Sequence, residues 1–167
     1  MAPITDDHSR RRESDLYAPL FALFGNHSRV FAEVPFFGKH IDLVFGTAAL
    51  ARLYAVETKL RDWRSAFKQA ALNQLAAQLS YVALPQRLAG RLAERESSLF
   101  ASYDVGLIAV GERARILIPA KRNGYFDRRY YRDLKEALNR ATKSHKPRDM
   151  GVLRDALAKR SRALVLL

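Results

Sequence analysis

The segment Val105-Gly106-Leu107-Ile108-Ala109-Val110 has no polar side chain on either alternating face. A strand of that kind has to be covered on both sides, which calls for a sheet packed between helices. Three β-rich segments come earlier: Val30 to Phe37, followed by Gly38; Ile41 to Phe45, closed by Gly46; and Leu53 to Leu60. Their shortness and succession suggest a meander. Val82-Ala83-Leu84 adds a short buried strand before Pro85, and Arg115 to Pro119 pairs with the apolar segment through the Gly111-Glu112 turn.

Helical spacing fills the gaps. Asp15 to Phe24 carries an apolar stripe of Leu16, Leu20, Leu23 and Phe24, with Ser14 as N-cap and Gly25-Asn26 as terminator. A long helix runs from its cap Asp62 to about Leu79, with Phe67, Ala70, Ala71, Leu75 and Leu79 on one side. A polar helix follows from Pro85 to about Glu96, and two more, from about Tyr130, break near Pro147. The expected class is α/β, with a mixed central β-sheet flanked by helices. Residues 1–12 read as a flexible basic arm ending in Arg10-Arg11-Arg12. Residues 13–167 read as a single domain, with a core over about 13–120 and a basic helical part over about 121–167.

The charge is unevenly spread. Positions 113 to 162 hold 16 Lys or Arg against 5 Asp or Glu, whereas the first 112 residues hold 13 against 12. A polyanion such as nucleic acid is the natural partner, since releasing condensed counterions drives association; a merely solvated basic face is the alternative. There is no cysteine, so disulfides, thiolate zinc sites and cysteine nucleophiles are excluded. Any metal would be held by oxygen or imidazole, which favours Mg²⁺, Mn²⁺ or Ca²⁺. No apolar stretch is long enough to span a bilayer, and the N-terminus lacks signal-peptide order, so a cytoplasmic location and no membrane partner are expected. The chain also lacks a Gly-rich phosphate loop and a nucleophile elbow, and its histidines, at positions 8, 27, 40 and 145, are scattered.

Acids placed inside apolar strands carry the chemistry. Asp42 interrupts Ile41 and Leu43-Val44-Phe45, and Glu57 follows Val56 two residues before Lys59. Residues two apart share a strand face, so Glu57 and Lys59 project together and Asp42 can reach them from an adjacent strand. Two carboxylates and an ammonium on a half-buried surface call for a compensating cation or partner. Such a group suits phosphodiester hydrolysis: the carboxylates hold a hard divalent cation while the lysine positions or deprotonates water, or steadies charge on phosphate. A surface cross-strand Glu57–Lys59 pair, with Asp42 capping a turn, is the structural alternative.

Asp42, then Val56-Glu57-Thr58-Lys59, then a helix bearing Gln69, resembles the PD-(D/E)XK nuclease superfamily over roughly Glu13 to Pro85. The resemblance implies a restriction-endonuclease-like core and DNA cleavage with Mg²⁺ or Mn²⁺. Asp42, Glu57 and the backbone carbonyl of Thr58 would be metal ligands, with Glu13 an additional acid as in resolvase-like branches. Asp42, Glu57, Lys59 and Gln69 would be the catalytic set. Ile41 stands where the superfamily's name has proline, and Asn73 where an aromatic residue often follows the glutamine. Gln74 and Gln78 are rivals to Gln69.

Other positions divide between two readings. Glu33 adds a third acid or faces outward, and His40 contacts phosphate or is an ordinary strand residue. Trp63 packs at the sheet edge or, with Arg64, greets phosphate at a helix N-terminus. In Tyr125 to Arg132 aromatics alternate with arginines, which nominates Arg122, Arg128, Arg129 and Arg132 for nucleic-acid contact. Cutting both strands of a duplex would be simplest for a homodimer. The alternatives to a nuclease are a non-catalytic nucleic-acid-binding module on the same fold and a basic protein-interaction domain that docks through positions 113–162.

Overall fold

The computed structural model describes residues 11–25 and 29–144, with side chains described as far as 140. Six strands form one sheet in the order β1-β2-β3-β4-β5-β6, the order of the sequence. They are β1 (Arg29–Phe36), β2 (Lys39–Gly46), β3 (Leu53–Thr58), β4 (Leu79–Pro85), β5 (Gly106–Val110) and β6 (Ala114–Ile118). The first three make the expected antiparallel meander, β3-β4-β5 are parallel, and β6 returns antiparallel to β5. The fold is therefore α/β, a mixed sheet with helices on both faces.

A 3-10 turn, Glu13–Leu16, leads into α1 (Tyr17–Phe24). The Arg12 N–H donates to the Asp15 carboxylate (2.8 Å), so the cap is built from Asp15 and not from Ser14. Leu16, Leu20 and Phe21 pack with Val30, Leu43, Phe45, Val56, Tyr81, Ala83 and Ile108 on one face of the sheet. On the other face lie α2 (Trp63–Asn73), α3 (Gln86–Arg95), α4 (Ser97–Ser102) and α5 (Arg128–Ser144). The run Gly106–Val110 is buried along its whole length, as its composition requires. Its glycine is needed there, because a Cβ at Gly106 would fall 2.3 Å from the Tyr81 ring.

Two boundaries differ from the periodicity reading. Helix α2 stops at Asn73, well short of Leu79, which opens β4. The Asn73 carbonyl accepts from Ala76 and Ala77, and Gln78 bonds Leu53 N–H (2.7 Å) and the Ala51 carbonyl, tying the chain into the sheet. The stripe of the long helix is Ala66, Phe67 and Ala70 with Asn73, rather than one reaching Leu75 and Leu79. Helix α4 was not expected, since six residues are too few to show a helical period. Helix α5 begins near the expected place, while the break at Pro147, the second basic helix and residues 1–10 of the arm lie outside the described residues.

At Asp42 the strand alternation breaks. Ile41 belongs to the core on the α5 face and Leu43, two residues on, to the core on the α1 face. Across the ladder, Val34 and Ala32 divide the same way. Between them Glu33 takes a left-handed φ of 53° opposite Asp42. One residue in that region re-aims the strand, and the sheet switches faces where the acid sits.

Candidate functional site

The end of β3 gathers the acids. Asp42 Oδ2 accepts from the Thr58 N–H (2.7 Å) and from the Thr58 hydroxyl (3.0 Å), which fixes its carboxylate over the last residue of the strand. Glu57 is 1% exposed and its Oε1 accepts from Asn73 Nδ2 (2.6 Å). Its Oε2 is buried with no hydrogen-bond partner among the described residues. Burial foremost, then the neighbouring Asp42 carboxylate, push the Glu57 carboxyl up to about 8, against the opposing help of Asn73 and Lys59.

Lys59 lies just beyond the strand, its N–H bonded to the Ala83 carbonyl. Its Nζ is 3.0 Å from Glu13 Oε2, with the side chains 25% and 41% exposed respectively. Burial disfavours the ammonium, but the bond to Glu13 and the charges of Asp42, Glu13 and Glu57 outweigh it, so the Lys59 pKa is raised. Three acids around one amine outweigh its burial. Asp42, Glu57, Lys59 and Glu13 thus stand in one electrostatic neighbourhood, brought there by β2, the end of β3 and the turn before α1.

Tyr17 of α1 was not singled out from sequence, yet it joins this group. Burial and then the Asp42 charge push its hydroxyl up to about 12, while a hydrogen bond with the Thr58 side chain works the other way. Asn73 was also missed as a partner, having been read only as a departure from an aromatic. The signal for it was the spacing 66, 70, 73, which puts a polar amide on a buried helix face.

The glutamines separate. Gln69 is half-buried one turn before Asn73, and its side chain makes no hydrogen bond among the described residues. Gln74 donates to the Tyr103 carbonyl (2.7 Å), and Gln78 serves the start of β3, so neither approaches the acids. Glu33 is exposed opposite Asp42, and His40 is exposed on β2. Trp63 stacks on Phe100, and Arg64 lies over the Trp63 ring at 4.6 Å.

The arginines near the C-terminus sit apart from the acids. The start of α5 is anchored by the Asp127 N–H to Leu75 and the Tyr131 hydroxyl to Leu50, beside the beginning of β3 and not its end. Arg129 pairs with Asp127 (3.0 Å), Arg132 with Asp133 (3.7 Å), and Arg122 covers the Phe126 ring, while Arg128 is exposed.

Among the described residues no three His, Asp or Glu side chains converge as a ligand group. Glu13, a candidate third acid, is turned to Lys59. Two carboxylates remain side by side, one with an oxygen lacking any donor, and that donor set suits a hard cation. No helix of the described residues is long and apolar enough to cross a membrane.

The chain is similar to the solved structure of the SPO1766 protein of unknown function from Silicibacter pomeroyi, with a TM-score of 0.55 and 18% identity. That likeness covers 84% of this chain and 94% of the other and concerns the fold alone. No protein-family model and no curated protein sequence matches the chain.

Proposed function

We propose that this protein is a metal-dependent nuclease that hydrolyses phosphodiester bonds, most naturally those of DNA, at the end of β3. The observation that carries this reading is the buried Glu57 carboxyl, short of one donor and crowded by Asp42. A pair of acids held this way is costly in an empty site and favourable around a divalent cation. Asp42 and Glu57, with the Thr58 backbone carbonyl, would hold Mg²⁺ or Mn²⁺. When bound, the ion would supply Lewis-acid polarisation of the scissile phosphate.

The chain's own residues supply the rest. Thr58 holds Asp42 in register through two hydrogen bonds, and Asn73 does the same for Glu57. Lys59, kept as an ammonium by Glu13, donates to the attacking water or to a phosphate oxygen and does not remove a proton. Water adds to phosphorus and loses a proton to solvent, while the bond to the leaving nucleotide oxygen breaks and that oxygen takes a proton from a solvent water. Gln69, one turn from Asn73 on the same helix, would steady the substrate or the lysine. The resemblance to PD-(D/E)XK nucleases supports the same assignment of roles.

The Glu13–Lys59 ion pair favours one other reading, a module that binds nucleic acid without turnover because its amine is already engaged. Plasmid nicking separates the two. The enzyme should nick supercoiled DNA with Mg²⁺ or Mn²⁺, and Glu57→Ala and Lys59→Ala should abolish nicking while keeping DNA binding. Pure protein that binds DNA and never nicks it with either metal would leave only the binding module.

A further inference from the structure

A cleft of about 980 Å³ opens beside Lys59 and Glu13, over the ends of β4 and β5 at Pro85 and Gly111. We propose that this cleft is the track for the nucleic-acid backbone, with Arg87 and Arg91 of α3 binding phosphates that lead to Lys59. The proposal deepens the nuclease reading above and rests on it for the direction of the track.

Five cations line the cleft, Arg11, Lys59, Arg61, Arg87 and Arg91, against the acids Glu13 and Asp62. Both acids are engaged: Glu13 with Lys59, and Asp62 as the cap of α2, accepting from the Ser65 N–H. Arg61, Arg87 and Arg91 are exposed and make no ion pair among the described residues. An anion entering the cleft therefore meets three arginines that no acid among the described residues pairs. The arginines of α5, by contrast, are partly matched by Asp127 and Asp133.

The backbone adds a second, independent attraction. Helix α3 starts after Pro85, which offers no capping side chain, and no side-chain bond closes its first turn. Gln86, Arg87 and Leu88 of that turn line the cleft, so free N–H groups and the positive end of the helix dipole are presented there. Arg87 and Arg91 are one helical turn apart and share a side of α3. The occupant with the matching chemistry is a chain of phosphates leading to Lys59.

The test is binding of fluorescent single-stranded and duplex oligonucleotides across a salt titration. Arg87→Ala/Arg91→Ala should lower the slope of log affinity against log salt by about 1.4 for single strands or about 1.8 for duplex. Arg128→Ala/Arg129→Ala should leave that slope unchanged, and Arg87→Lys/Arg91→Lys should retain it. An unchanged urea midpoint excludes misfolding, because both arginines are exposed. A wild-type slope in the double alanine variant overturns the track, as does loss of slope only on changing Arg128 and Arg129, or no binding by the wild type at low salt. Binding that depends on Arg87 and Arg91 without any nicking would keep the track and overturn the nuclease reading. Nicking by the wild type that the double alanine variant matches in binding and rate would do the reverse.

Discussion

Asn73 donates to Glu57 across 2.6 Å, and this hydrogen bond favours the charged form of the buried carboxyl, whereas the neighbouring Asp42 opposes it. Asn73→Leu removes the donor while keeping the same number and branching of side-chain heavy atoms. Losing a bond to a charged, buried group costs about 1–3 kcal/mol. The loss should be full above about pH 8, where Glu57 is ionised, and smaller near pH 5, where it is protonated. Urea denaturation of metal-free protein at the two pH values measures the difference. Equal losses at both would mean that Asn73 acts through packing and not through the carboxylate.

The Glu57 carboxyl also ties stability to pH. Its value is raised from 4.5 to about 8 on folding, so the native state holds a proton that the unfolded chain releases. The stabilisation is complete below about pH 4.5 and is lost as pH climbs through 8, by roughly 3–6 kcal/mol in metal-free protein. Glu57→Gln carries no such proton. Its stability should vary less between pH 5 and pH 8 and should exceed that of the wild type at the upper end. Urea midpoints across the range distinguish the two proteins.

Divalent cation should reverse that penalty. With Mn²⁺ at about 100 times its dissociation constant, the wild type gains about 2.7 kcal/mol. The gain should grow with pH, because the cation competes with the Glu57 proton. Asp42→Ala and Glu57→Gln should show no metal-dependent rise in melting temperature. Differential scanning calorimetry with and without metal gives the readout.

Lys59 and Glu13 are partly exposed, so their ion pair is worth little to the fold. Lys59→Met should change stability by less than about 1 kcal/mol. It should nevertheless abolish nicking, with metal binding retained. A large loss of stability would assign Lys59 to the fold and not to the reaction.

What could be seen from the sequence was what strand geometry dictates locally. Asp42, Glu57 and Lys59 lie in or just after short apolar segments on neighbouring strands, so adjacency was legible, but the break in alternation at Asp42 beside the left-handed Glu33 was not. The covered sheet followed from the all-apolar strand at β5. Tyr17 and Asn73 depend on how α1 and α2 dock, and docking leaves no local trace except a polar residue on a buried stripe. The early end of α2 is set by Gln78 bonding across 25 residues to Leu53, beyond the range of any periodicity. The richest run of arginines drew attention to α5. On α5 Asp127 and Asp133 offset part of that charge, whereas Arg87 and Arg91 of α3 have no ion-pair partner among the described residues.

Anomalous diffraction from a crystal of the wild-type protein soaked in Mn²⁺ addresses the pair of acids most directly. The expected result is one anomalous peak bridging the Asp42 and Glu57 carboxylates, with Lys59 still on Glu13, and no peak there in Glu57→Gln crystals. A wild-type crystal whose Mn²⁺ binds elsewhere, with the Glu57 carboxyl unligated, would contradict it.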